Sequence, residues 1–163
     1  FFGDCYSDLM QDAALFFYTK LASTEGFFVL AVIIFLVLFF TGRGRRGTYF
    51  FISALGLAGT VAALKELFHV ARPDILSIEV TGYAFPSGHA AGSAFLFLSL
   101  ALLSRRLRTP LRQLVYVVCV LLIAAISVSR VLYGAHTWLQ VAAGLLIGLL
   151  WASIWYMADR KAS

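Results

Sequence analysis

Five long apolar runs, near residues 26–41, 48–65, 89–104, 113–132 and 138–157, constrain this chain more than any other feature. Each is roughly 16–20 residues long, about what an α-helix needs to cross a hydrocarbon layer. In lipid, every backbone N–H and C=O must be satisfied within the structure. That leaves helices or a closed barrel, and the strict alternation of barrel strands is missing. Hydrophobic residues make up 61% of the chain, against about 45–50% in soluble domains. The expected fold is all-α: an integral membrane helical bundle with about five transmembrane helices.

Ahead of these runs, residues 8–22 set Met10, Ala13, Ala14, Phe17 and Leu21 on one helical face. Asp8, Gln11, Asp12 and Thr19 fall elsewhere, which predicts an N-terminal interfacial helix. Residues 27–40 have the apolar character of a signal-peptide core. The preceding segment carries Asp4, Asp8, Asp12 and Glu25 without a basic leader, so a retained span is expected. Phe1 in place of Met suggests a trimmed start. Neither repeats nor low-complexity tracts interrupt the pattern, and a single domain over 1–163 is expected. Cys5 precedes the first span and Cys119 lies inside the fourth, so no disulfide is expected.

The charges fix the orientation. Arg43, Arg45 and Arg46 lie between the first two runs, Arg105, Arg106, Arg108 and Arg112 between the third and fourth, and Arg160 and Lys161 after the fifth. These nine of the 13 basic residues would all share one side, the cytoplasmic one by the positive-inside rule. The same grouping argues against nucleic acid as the partner of a chain with net charge +5. The opposite side collects seven of the eight acids, all three histidines, Lys65, Arg72 and Arg130. Ionisable groups at membrane depth are costly without a use, so a site is expected there.

Three clusters carry chemistry. In Lys65-Glu-Leu-Phe-His-Val-Ala-Arg72-Pro73 the two cations are two helical turns apart, and Pro73 biases Arg72 out of the helix. They suit a phosphate, or simply snorkel to the lipid headgroups. Pro86-Ser87-Gly88-His89 runs into the third span. Ser87 suits a helix cap, Gly88 admits close backbone approach, and free N–H groups at a helix start bind anions. His89 could there protonate a leaving oxygen, or be incidental. In the third cluster Ser129 and Arg130 lead to His136, with Gln140 one turn further. The Gln140 oxygen could hold one imidazole nitrogen of His136 and leave the other free as a nucleophile. The plainer reading is a buried histidine satisfied by a glutamine.

Together the clusters resemble the signature of the type 2 phosphatidic acid phosphatase superfamily, K-x6-R-P, P-S-G-H and S-R-x5-H-x3-D. Ten positions match with the right spacing, and Gln140 replaces the final aspartate. The segment His136-Thr137-Trp138-Leu139-Gln140-Val141 also looks like the H-T-W-x-Q-V of the dolichyl diphosphatase branch, which is active. The resemblance implies that His136 attacks phosphorus to give a phosphohistidine and that His89 protonates the departing lipid oxygen. It also implies that Lys65, Arg72, Pro73, Ser87, Gly88, Ser129 and Arg130 form the phosphate site, with no metal or other cofactor. Gln140 would orient His136 without supplying an aspartate's charge.

The expected partner is a phospholipid or polyprenyl (di)phosphate, most simply a polyprenyl diphosphate, in a bacterial inner membrane with the site facing the periplasm. Phosphatidylglycerol phosphate, the 1-phosphate of lipid A, phosphotransfer to another lipid and non-catalytic lipid binding stand as alternatives. Gly144 and Gly148 are expected to pack spans closely. Trp151, Trp155 and Tyr156 are expected to be membrane anchors.

Overall fold

The computed structural model describes residues 23–72 and 82–161, and all the regular structure among them is helical. The expected interfacial helix at 8–22, Cys5 and Pro73 lie outside the described residues. Five long helices follow one another: α1 (Thr24–Leu38), α2 (Gly44–Phe68), α3 (Gly88–Leu103), α4 (Thr109–Leu132) and α5 (Trp138–Lys161). They coincide with the five apolar runs, extended or trimmed by a few residues at the ends.

Local signals explain the boundaries. The Ser23 side chain caps α1 by accepting from the Gly26 N–H at 3.1 Å. Between α1 and α2 the chain reverses within Phe39–Arg43, where Gly42 takes φ 76°, a conformation that costs glycine little. α2 ends at His69, which adopts a left-handed φ of 46° and returns its N–H to the Lys65 carbonyl. Pro110 sits in the first turn of α4, where its missing N–H is harmless.

α3 is the central helix. Every residue from Ala90 to Phe97 is buried, and all four other helices pack around it. Phe50 of α2 stacks on Phe95 at 5.2 Å and meets Trp155 of α5 edge-on at 5.7 Å. Phe27 and Ala31 of α1 join the same core. Against α5, small residues allow the closest approach. A Cβ on Gly144 would lie 2.4 Å from the Ser87 carbonyl oxygen, and one on Gly148 would lie 2.3 Å from that of Ala91. The expected close packing at these glycines is therefore an α3–α5 crossing.

Outward faces are apolar instead of polar. Val117, Val120 and Leu121 on α4 and Leu146 and Leu150 on α5 are exposed. Among the described residues, three helical stretches are long and apolar enough to cross a membrane: Glu25–Phe68, Thr109–Leu132 and Trp138–Lys161. The first of these is α1 and α2 with the Gly42 reversal between them. α3, at 16 residues, reaches about 24 Å, short of a hydrocarbon core of about 30 Å, and it is the helix sheltered by the others.

Trp155 is only 1% exposed and belongs to the core, so it is not the interfacial anchor expected from the sequence. Trp151 lies against Gly56, where it has room, and its indole N–H reaches Thr60 Oγ1 at 3.1 Å. Tyr156 does sit at the basic end of the bundle. There Arg105 donates to its hydroxyl, and the Arg160 guanidinium lies 5.8 Å from its ring. Arg46 pairs with Asp159 at 2.7 Å in the same region, tying the start of α2 to the end of α5.

Candidate active site

At the opposite end the chain assembles cations around a histidine. The first turns of α3 and α5 are joined directly, because the Ser87 N–H donates to the Gln140 carbonyl at 3.1 Å. The glycine crossing described above brings the two helices this close. The short segment Gly82–Phe85 then lies across the ends of α2 and α5 and supplies three successive carbonyls. The Gly82 oxygen accepts from Arg72 Nε at 3.0 Å, the Tyr83 oxygen accepts from Lys65 Nζ, and the Ala84 oxygen lies 2.8 Å from His136 Nδ1. Arg72 also donates through Nη1 to the Ala135 carbonyl at 3.1 Å, next to His136.

His136 is 4% exposed. A backbone carbonyl can only accept, so the Nδ1 facing Ala84 carries the proton and Nε2 keeps the lone pair. Burial first, then the Arg72 charge, with a smaller effect of Lys65, lowers the His136 pKa to about 4. The bonds to Ala84 and Gln140 oppose this shift without overcoming it. At neutral pH the ring is uncharged, as a nucleophile must be.

Arg130 comes from the last turn of α4 and is 5% exposed. Its Nε approaches Ser129 Oγ at 3.3 Å, and its guanidinium lies 5.9 Å from the Tyr133 ring. The Ser129 hydroxyl itself donates to the Ile126 carbonyl at 2.7 Å, so it is engaged in holding the helix and Arg130. Ser87 precedes α3 without capping it through its side chain, contrary to the sequence expectation. Its Oγ is buried and has no hydrogen-bond partner among the described residues, an arrangement that costs stability unless a ligand uses it. His89 is in the first turn of α3, with its Nε2 withdrawn from solvent.

Gln140 has a second occupation that its place in the motif concealed. Its Oε1 accepts from the Thr137 N–H at 3.0 Å, while its own N–H lies 3.4 Å from Thr137 Oγ1. This is the reciprocal capping box of a Thr-x-x-Gln sequence at the start of α5. The same Oε1 lies 3.3 Å from His136 Nδ1. The signal was present as Thr137-Trp-Leu-Gln140. The Ala84 carbonyl, 52 residues from His136 along the chain, had no signal at all.

A cleft of about 180 Å³ opens beside these groups, between α1, α2 and α3. Phe27, Phe28, Leu57 and Val61 make it apolar, and Lys65 and Gly88 stand at its polar end. Among the described residues no group of three or more His, Cys, Asp or Glu is arranged to hold a metal.

Fold and site together define a polytopic helical membrane protein with a cationic, histidine-bearing site at one end of its bundle. Residues 46–163 match the PAP2 superfamily, and the chain belongs to that family. A crystal structure of a transmembrane PAP2-type phosphatidylglycerolphosphate phosphatase from Bacillus subtilis has the same fold. The TM-score is 0.84 at 24% identity, covering 94% of this chain and 79% of that one. Phosphatidylglycerophosphatase B of Bacillus subtilis (strain 168) is 30% identical over 96 residues, 53% of this chain and 45% of the relative. An uncharacterized 22.5 kDa protein in the cps region of Klebsiella pneumoniae is 27% identical over 133 residues, 80% of this chain and 62% of the relative. The chain thus spans less than two thirds of the length of the curated relatives it matches.

Proposed function

We propose that this chain is a single-domain lipid phosphatase that works through a phosphohistidine on His136. The observation that carries the reading is the junction of two unlike environments. An apolar cleft ends at Lys65 and Gly88, beside Arg72, Arg130 and a neutral histidine. Such a junction suits a molecule with an apolar tail and a phosphate head.

The chemistry follows from the atoms available. Lys65, Arg72 and Arg130, with the Ser87 hydroxyl and the N–H groups that open α3, bind the phosphoryl oxygens and stabilise charge in the transition state. His136 Nε2 attacks phosphorus, forming the N–P bond as the P–O bond to the lipid breaks. His89 gives a proton to the departing oxygen. Water then attacks the phosphohistidine, His89 takes up its proton, and inorganic phosphate leaves. The three cations supply the charge stabilisation, so no metal is required. Added chelator should leave the rate unchanged. Loss of activity in EDTA with recovery in Mg²⁺ would overturn the scheme.

A polyprenyl diphosphate is the substrate we favour, because His136-Thr-Trp-Leu-Gln140-Val141 resembles the dolichyl diphosphatase branch. Phosphatidylglycerophosphate is the second reading, favoured by the names of the Bacillus subtilis relative and solved structure. The deciding experiment is phosphate release by purified protein across both lipids and lipid A 1-phosphate. A higher kcat/KM for the polyprenyl diphosphate is expected, and a preference for phosphatidylglycerophosphate would reassign the substrate. We place the site on the periplasmic side of a bacterial inner membrane, in accord with the clustering of arginines at the other end.

A further inference from the structure

We propose that the Ala84 backbone carbonyl fixes the tautomer and aim of His136, which frees position 140 to cap α5 in place of an aspartate. The inference rests on the reading of His136 as the nucleophile. His136 Nδ1 is 2.8 Å from the Ala84 oxygen and 3.3 Å from Gln140 Oε1. The first is an ordinary hydrogen-bond length, while the second is long for an N–H donor.

The Gln140 oxygen is also committed elsewhere, since the Thr137 N–H donates to it at 3.0 Å. That bond assigns the side chain's orientation, with its oxygen towards the helix start and its NH₂ away. It also completes the capping box with the Thr137 hydroxyl. Gln140 is therefore first a cap and second a distant acceptor to the imidazole.

Ala84, by contrast, is held firmly for the task. It is fully buried, and its own N–H donates to the Val70 carbonyl at 2.8 Å. On either side the segment is clamped by aromatic contacts. The Tyr83 ring meets the His69 ring edge-on at 4.5 Å, and Phe85 meets Phe68 at 5.1 Å. The neighbouring carbonyls of Gly82 and Tyr83 accept from Arg72 and Lys65. One short stretch of backbone thus sets the nucleophile and two phosphate-binding cations in register.

A carbonyl cannot be protonated at working pH and cannot donate. It therefore enforces a single histidine tautomer, whereas a glutamine side chain can rotate its NH₂ towards the ring. It also adds no charge, which leaves the site more cationic than one carrying a carboxylate.

Two changes separate the roles, each read by single-turnover kinetics and by ¹⁵N NMR of histidine-labelled full-length protein in detergent. Replacing Phe85 by phenyllactic acid converts the Ala84–Phe85 amide to an ester and weakens the Ala84 oxygen as an acceptor. The expected result is a kcat lower by about tenfold with little change in KM. Mixed His136 tautomers should accompany it. Gln140→Ala should keep Nε2 unprotonated while lowering the unfolding midpoint as Thr137→Ala does. Gln140→Glu, which can rebuild the capping box, should restore that midpoint.

A loss on the order of 10²-fold in Gln140→Ala, as for a misaimed catalytic group, would overturn the proposal. So would scrambled tautomers in that variant. If the ester protein does not fold, the tautomer of Gln140→Ala decides alone. If the wild-type chain hydrolyses no lipid phosphate, the proposed function fails, and the NMR readout still tests Ala84.

Discussion

His136 is where residue-scale chemistry is most exposed to test. As the proposed attacking group it should be indispensable, so His136→Ala should fall to background in phosphate release and yield no trapped phosphoenzyme. Substantial turnover in that variant would end the assignment. The environment also predicts a titration. Burial and the nearby cations hold the ring at a pKa of about 4, below its ordinary 6.5. The folded state thus binds this proton less readily than the unfolded chain does. The stability contributed is complete above about pH 6.5 and is lost as pH falls through about 4. Histidine NMR should show the His136 ring still neutral at pH 5. Arg72→Gln should move its midpoint upward, because the second-largest cause of the depression is then gone. An apparent pKa near 6.5 in the wild type would contradict this picture.

Side-chain identities at matched spacing marked Lys65, Arg72, Ser87, His89, Arg130 and His136 as candidates in the sequence, and the fold brings Lys65, Arg72 and His136 onto one backbone segment. The capping role of Gln140 was legible in principle, as Thr-x-x-Gln, but the stronger family pattern claimed the same residue. The carbonyls of Gly82, Tyr83 and Ala84 were not legible, because every residue has a carbonyl and only the fold decides which ones converge.

At the scale of the elements, apolar runs and their length located the five long helices among the described residues. Their packing was only partly readable. The Gly144–Gly148 pair announced a close crossing but not its partner, since small residues say how near a helix can come and not to which neighbour. Trp155 misled for a related reason. An aromatic near a helix end serves equally at an interface or in a core, and Phe50 across the bundle decides the matter.

The crossing itself can be probed. In Gly148→Val the new side chain would begin 2.3 Å from the Ala91 oxygen and 2.8 Å from Ala94 Cβ. One helix must then retreat, and overpacking of this sort costs about 1–3 kcal/mol or more. The unfolding midpoint should fall, and activity with it, because the same contact sets Ser87 against Gln140. Gly59→Val on α2 is the control, since nothing lies within 4 Å of a Cβ there, and it should change little. Equal losses in the two variants would mean that the crossing does not position the site.

For the molecule as a whole, the separation of charge predicts orientation. Arg106 and Glu66 are both exposed, at opposite ends of the bundle, and serve as reporters. With Cys5 replaced by Ser and Cys119 buried, a cysteine at Glu66 should react with an impermeant thiol reagent in intact cells. One at Arg106 should react only after the membrane is opened. The reverse pattern would invert the topology and put the site on the cytoplasmic side.

The shortness and central burial of α3 bear on how such a protein is made. This helix is too brief to span comfortably by itself, and its small residues meet the glycines of α5 at close range. During synthesis Ser87, Gly88 and His89 emerge well before the helix that seats them, and His136 arrives only at that helix's threshold. A half-inserted chain therefore holds its reactive groups apart. On the proposed reading, catalytic competence is then a property of the finished insertion alone, and an incomplete copy stranded in the membrane has no assembled site.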